Sequence, residues 1–305
     1  MRYTMHFIGV TTGSSSIRGL FPLWMRELGR EDVALAGVDL PLGAEPARYR
    51  DAVARIRRDP QALGALVTSH KIGVLEAARD LFDYLDPGAL RGGEVSCISK
   101  NGTQLEGRAV DPVNSSRCLD AMLGPGYFAR TGGEVLCLGA GGAATAIVMQ
   151  FLDRTREERP SRIVIVDSAS GRLEALRAMI AKSGSGIRFE YRCHGEARSN
   201  DRLMEQLAPC SLAINATGMG KDLPGSPLTG AANFPRNGIA WELNYRGTLE
   251  FYQQALRQRD ARHLHVEDGW QYFLHGWTSV IAEVLHLEIG AELFDRLAQI
   301  ARTSR

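Results

Sequence analysis

The stretch Val135-Leu-Cys-Leu-Gly139-Ala140-Gly141-Gly142-Ala143-Ala144 constrains the fold of this chain more than any other. An apolar strand run breaks into G-x-G-x-x-A, and a helical run follows. Glycine at 139 permits a tight turn. Glycine at 141 lets backbone amides approach a pyrophosphate, and a small residue at 144 allows close helix–strand contact. The helix N-terminus adds partial positive charge for the phosphates. A glycine string alone is a weak signal, but the strand–turn–helix context predicts dinucleotide binding through Gly139, Ala140, Gly141, Gly142, Ala143 and Ala144.

The surroundings extend the pattern. Apolar runs at Val135–Leu138, Ile163–Val166, Leu212–Ile214 and Ile239–Leu243 alternate with helical stretches at Ala143–Leu152, Leu173–Ala181, Leu203–Leu207 and Leu249–Arg257. Such alternation predicts a parallel sheet covered on both faces. Before it lie strand runs at Met5–Val10, Val33–Leu40 and Ala62–Thr68. Helices are expected from Ile17, over Tyr49–Arg58, and over Ile72–Leu85, the last ending before Pro87. Asn101-Gly102 signals a hairpin. The chain closes with two helical patterns, Trp270–Leu285 and Ala291–Ala301. At 305 residues it suits two α/β domains, with the change of regime near Ser115–Thr131, rich in Gly, Pro and Ser.

Lys plus Arg number 36 against 35 acidic residues, a net charge of +1 without a basic stripe, which argues against nucleic acid as the partner. No apolar run reaches the roughly 18–20 residues of a bilayer span. The opening Met-Arg-Tyr-Thr-Met-His-Phe lacks a signal-peptide core. Five cysteines without a C-x-x-C pair read as reduced core thiols, as in a cytoplasmic protein. His263-x-His265 has no third ligand spaced for zinc, so no metal is expected. The expected partner is a small molecule, with neither nucleic acid nor membrane, for a monomer or homodimer.

Asp167 ends the strand run Arg162–Asp167, where a carboxylate can accept hydrogen bonds from a ribose and repel a 2′-phosphate, favouring NAD. The alternative is a capping or loop residue. Ser168 adjoins it, and Arg172 could greet a phosphate, which keeps NADP open. The run Leu212–Ile214 breaks into Asn215-Ala216-Thr217-Gly218, a loop placed to line the nicotinamide side.

Taken in order, the motifs resemble the shikimate dehydrogenase family, with its quinate dehydrogenase relatives, over nearly the whole chain. They are the serine-rich loop after the first strand, Val67-Thr68-Ser69-His70-Lys71, Gly107-Arg-Ala-Val-Asp111, Gly139–Ala144, Asn215-Ala-Thr217, Glu242-Leu-Asn-Tyr245 and Asp268-Gly269. The resemblance implies an N-terminal α/β substrate domain over 1–117, completed by C-terminal helices 266–305. It also implies a Rossmann-type doubly wound parallel sheet over 118–265, with the active site in the cleft between. It implies hydride transfer between NAD(P) and a ring hydroxyl or ketone of a carboxylate-bearing cyclic acid.

In that reading Lys71 and Asp111 are the catalytic pair. Ser14, Ser15, Ser16, Thr68, Ser96, Tyr245, Tyr272 and His275 approach the substrate, and Gly269 joins the cofactor residues. A lysine near pKa ~10.4 would need lowering to shuttle protons near neutrality. The chain also departs from the family. Leu66-Val-Thr-Ser-His-Lys is one residue shorter than the family's lysine segment and lacks its Asn and Pro. Glu94-Val95-Ser96-Cys97 replaces A-V-N-T, and Gly276 stands where a Gln is usual. These losses predict poor use of shikimate itself. They also motivate a second expectation, a non-catalytic sensor of nucleotide or ring acid.

Overall fold

The structure, a computed structural model, describes residues 2–303 apart from residue 222. It comprises two compact units. One runs to Asp111 and resumes at Leu274; the other spans Pro112–Phe273. The expected boundary after residue 117 falls inside the helix Asp111–Leu123. That helix is not a linker: it carries Cys118, Leu119 and Leu123 into the core of the second unit. The expected boundary after 265 falls inside the short strand His265–Glu267.

The first unit holds a six-stranded sheet of β1 (Tyr3–Gly9), β2 (Val33–Asp39), β3 (Ala62–Val67), β4 (Tyr84–Leu85), β5 (Cys97–Asn101) and β6 (Gln104–Arg108), in the order β2-β1-β3-β5-β6-β4. β1 pairs in parallel with β2 and β3, whereas β5 runs antiparallel to β3 and β6. The β5–β6 turn is Asn101-Gly102, with Gly102 at φ +61° as the tight turn requires. Helix Ile17–Glu27 buries Ile17, Leu20, Phe21, Trp24 and Met25, the face its spacing predicted. The Trp24 indole donates to the Leu297 carbonyl at 2.9 Å, tying this helix to the terminal helix Ala291–Thr303. Trp277 meets Phe7 edge-on at 4.9 Å. The C-terminal helices thereby complete this unit.

The expected helix Ile72–Leu85 is broken. It runs only over Lys71–Ala78, passes through a 3-10 turn at Arg79–Leu81, and enters β4. Asp83 captures the chain there: its carboxylate accepts from the Leu105 amide at 2.7 Å and pairs with Arg57 at 2.7 Å. A tertiary contact has overridden a helical period.

The second unit holds an all-parallel sheet. It contains β7 (Val135–Leu138), β8 (Arg162–Asp167), β9 (Arg188–Cys193), β10 (Leu212–Asn215), β11 (Ile239–Glu242) and β12 (His265–Glu267), in the order β12-β11-β10-β7-β8-β9. β7 and β10 are buried along their whole length, as strands covered on both faces must be. The order reverses at β7, so the loop after it lies at the switch point where open α/β sheets bind ligands. Among the described residues, no helix is long and apolar enough to cross a membrane.

Candidate active site

In the first unit, Lys71 opens the helix that follows β3, and Asp111 opens the helix that follows β6. The Lys71 ammonium donates to Asp111 Oδ2, and both side chains are largely buried. A second acid, Glu94, is 2% exposed. The Val95 amide donates to the Lys71 carbonyl at 3.1 Å, which sets Glu94 beside the lysine backbone. Burial pulls the Lys71 ammonium down, but Asp111 and then Glu94 push it up, and the balance lies above the ordinary lysine value. The downward tuning expected from the sequence is reversed. Burial pushes Glu94 up to about 8; Lys71 opposes the shift and Asp111 adds to it. The cluster therefore contains one fixed cation, one paired carboxylate, and one carboxyl that retains its proton near neutrality.

The turn before Lys71 lacks the family's Asn and Pro and is anchored instead by His70. This residue is 3% exposed. Its Nε2–H donates to the Leu40 carbonyl at 2.9 Å, leaving Nδ1 to accept from the Tyr49 hydroxyl at 3.2 Å. Leu40 offers only an acceptor, which dictates the tautomer. Burial lowers the His70 pKa and keeps the ring neutral.

In the second unit, Gly139 has φ +113°, and a Cβ there would lie 2.7 Å from the Ala216 carbonyl oxygen. Only glycine satisfies both constraints. Gly141 caps the helix Gly142–Asp153 without a side-chain hydrogen bond, and a Cβ on it would meet nothing within 4 Å. Ala144 is fully buried against the sheet. An uncapped helix start behind a side-chain-free approach suits a pyrophosphate. Asp167 ends β8 and braces this loop: Oδ2 accepts from the Ala140 amide at 2.8 Å and Oδ1 from the Ala169 amide at 2.8 Å. Arg172 lies 3.8 Å from Asp167 with its side chain 62% exposed, and Ser168 is exposed beside them.

Asn215, Ala216 and Thr217 shape the neighbouring loop. Asn215 Oδ1 accepts from the Thr217 amide at 3.1 Å and hydroxyl at 2.6 Å, and the Thr217 hydroxyl accepts from the Met219 amide at 3.2 Å. Asn215 Nδ2 donates to Glu242 Oε2 at 2.7 Å. Glu242 is fully buried, and its Oε1 accepts from the Asn244 amide at 2.8 Å and Nδ2 at 2.7 Å. Burial raises Glu242 to about 7 against these donors, with Asp268 adding to the rise. A Cβ on Gly269 would lie 2.1 Å from the Leu243 carbonyl oxygen, so that glycine serves close backbone approach.

The residues expected near the substrate do not share one setting. Ser14 and Ser16 are exposed and Ser15 is buried; the Ser14 hydroxyl donates to the Thr11 carbonyl at 3.2 Å. Thr68 donates to the Ile8 carbonyl at 3.3 Å. Ser96 bridges the Arg108 carbonyl at 3.4 Å and the Val110 amide at 2.9 Å, which fixes the segment leading to Asp111. Tyr245 packs on Phe273 at 4.3 Å and Tyr272 on Trp241 at 6.1 Å, while His275 stacks on Phe294 at 4.4 Å. A Cβ at Gly276 would meet nothing within 4 Å.

Sequence reasoning passed over two groups, Glu94 and Asp39. Asp39 ends β2 and accepts from the Thr12 amide at 2.8 Å and hydroxyl at 2.6 Å, holding the serine-rich loop. An acid directly after an apolar strand run was the available signal, the same one that marked Asp167.

No family model matches the sequence. Among curated proteins, the shikimate dehydrogenase (NADP(+)) of Salinibacter ruber is 32% identical over 219 residues, covering 70% of each chain. The shikimate 5-dehydrogenase of Thermus thermophilus, solved with NADP(H) and shikimate, superposes over the whole of both chains with a TM-score of 0.69 at 22% identity. The quinate dehydrogenase of Corynebacterium glutamicum, solved with NAD, gives a TM-score of 0.73 at 17% identity over 99% of each chain. At these identities the two structures speak for the fold.

Proposed function

Because this chain belongs to the shikimate dehydrogenase family, we propose that it is an NAD(P)-dependent oxidoreductase acting on the ring hydroxyl or ketone of a carboxylate-bearing cyclic acid. The observation that carries the reading is the buried Lys71–Asp111 pair at the starts of two helices. The nicotinamide, when bound, supplies or accepts the hydride. Gly139, Gly141 and the start of helix Gly142–Asp153 would hold its pyrophosphate. Lys71 Nζ exchanges a proton with the reacting ring oxygen, and Asp111 orients the ammonium and accepts from a ring hydroxyl. No observation favours a non-catalytic sensor, and the pairing of Lys71 with Asp111 supports the catalytic reading.

Shikimate is expected to be a poor substrate. Ser96 is engaged with backbone, and Gly276 offers no side-chain amide. Each buried hydroxyl left without its partner forfeits about 1–3 kcal/mol. Two such losses weaken selection by roughly 30- to 10⁴-fold, at ~1.4 kcal/mol per tenfold. Steady-state kcat/KM for shikimate, quinate and differently substituted ring acids tests this. Shikimate turnover near ~10⁵ M⁻¹s⁻¹ counts against the pocket reading, and no turnover of any ring acid counts against the function.

Within the pyridine nucleotides, NADP is placed ahead of NAD, a revision of the sequence expectation. Asp167 is occupied by the Ala140 and Ala169 amides, whereas Arg172 is exposed beside it, and the curated relative carries NADP(+) in its name. A charged hydrogen bond contributes about 1.5–3 kcal/mol, so Arg172→Ala is expected to weaken NADP roughly 10- to 100-fold and leave NAD unchanged. Dissociation constants by fluorescence titration decide. Tighter NAD in the wild type returns Asp167 to the role of ribose acceptor.

A further inference from the structure

We propose that Glu94 holds the proton this site exchanges with its substrate, Lys71 passing that proton between the two. The inference rests on the reading of Lys71 and Asp111 as the reacting pair. Glu94 is 2% exposed, and its Oε2 has no hydrogen-bond partner. Buried carboxylate oxygens are seldom left so. The Val95 amide bond to the Lys71 carbonyl brings the Glu94 backbone next to that of Lys71. The charged groups acting on Glu94 are Lys71, from the helix after β3, and Asp111, from the helix after β6. The Lys71 ammonium carries three donors and gives one to Asp111, so donors remain for a second carboxyl.

The chemistry needs a group of this kind. Asp111 holds Lys71 charged near neutrality, and Glu94 adds to this once ionised, so the ammonium alone cannot take up a proton from an alcohol. A group that exchanges protons efficiently changes charge near the working pH. Burial brings Glu94 there, at about 8. In the oxidative direction, the ring hydroxyl gives its proton to Lys71 Nζ as Nζ gives one of its own to the Glu94 carboxylate. The O–H electron pair becomes the carbonyl π bond, and the carbon's hydride leaves with its pair to the nicotinamide. Glu94 then releases its proton to water. Reduction runs these transfers backwards and starts from protonated Glu94.

The test compares wild type, Glu94→Gln and Glu94→Asp by the pH dependence of kcat/KM for oxidation. An infrared titration of carboxyl carbonyl bands in the substrate-free proteins accompanies it. Wild-type kcat/KM should rise through pH about 8. Glu94→Gln should lose that rise and at least ~10²-fold of the plateau. Glu94→Asp should keep a displaced rise. The part of the protonated-carboxyl band that vanishes near pH 8 in wild type should be missing in Glu94→Gln, while the part that Glu242 contributes, vanishing near 7, stays. An unchanged urea unfolding curve reports intact folding of the unit that holds Glu94. If Glu94→Gln keeps both rate and rise, or the Glu94 part of the band is missing from wild type, the proposal is overturned while turnover upholds the proposed function. If wild type oxidises no ring alcohol, the proposed function fails and takes the proposal with it, even where that part is present.

Discussion

Lys71→Ala is expected to lower turnover at least ~10²-fold, the low end of what a positioned proton-transfer group contributes. Cofactor affinity should not change, since Gly139, Gly141 and Asp167 belong to the other unit. The loss has two sources. The reacting oxygen loses its proton partner, and Asp111 and Glu94 lose the cation they share. Lys71→Arg separates them. A guanidinium keeps the charge and the partnership with Asp111, but it does not release a proton in any ordinary pH range. That variant should fold like wild type and remain inactive. Turnover of Lys71→Ala within tenfold of wild type would remove this lysine from the mechanism.

The second large effect is on stability. Glu242→Ala leaves Asn215 Nδ2, the Asn244 amide and Asn244 Nδ2 without the carboxylate they converge on. Asn215 Nδ2 keeps the Met219 carbonyl and Asn244 Nδ2 keeps those of Thr217 and Met219, whereas the Asn244 amide loses its acceptor outright. A buried donor so deprived costs about 1–3 kcal/mol, so urea unfolding should show a loss of about that size. Wild type should also depend on pH through this residue. Its folded pKa is raised from 4.5 to about 7, so the folded state binds the proton more tightly than the unfolded chain does. The resulting stability is fully present below 4.5 and is lost as pH rises through about 7, by up to ~1.4 kcal/mol per pH unit. Glu242→Gln should flatten that slope. A slope unchanged in this variant would assign the pH dependence to another group.

The sequence displayed central elements better than peripheral ones. β7, β8, β10 and β11 are buried and read as apolar runs, because a strand covered on both faces has nowhere to place polar side chains. β9 and β12 are the sheet's edges and carry exposed or half-exposed polar residues such as Arg188 and His265, so their sequences announce no strand. The helix at Asp111–Leu123 was hidden by the turn-like composition of the segment that follows it.

The site divided along a similar line. Lys71 and Asp111 stood out through motif order, and the structure brings them together. Ser96, Thr68 and Asn215 were legible as polar residues in suitable loops, but their engagement with nearby backbone was not, because local hydrogen bonds depend on register that a motif does not encode. Glu94 escaped notice because its significance comes from two residues 23 positions before and 17 after it in the chain, Lys71 and Asp111.

Asp167 carries an implication for how such a protein can diverge. One side chain fastens the glycine turn through Ala140 and the start of the next loop through Ala169. A replacement of Asp167 would loosen the glycine turn as well, so in the proposed reading coenzyme choice and turn geometry are inherited as one. Arg172, held by no such double duty and largely exposed, can change without that penalty. In the proposed reading the easier route to a new coenzyme preference therefore passes through residue 172, with 167 held as the fixed point around which drift occurs.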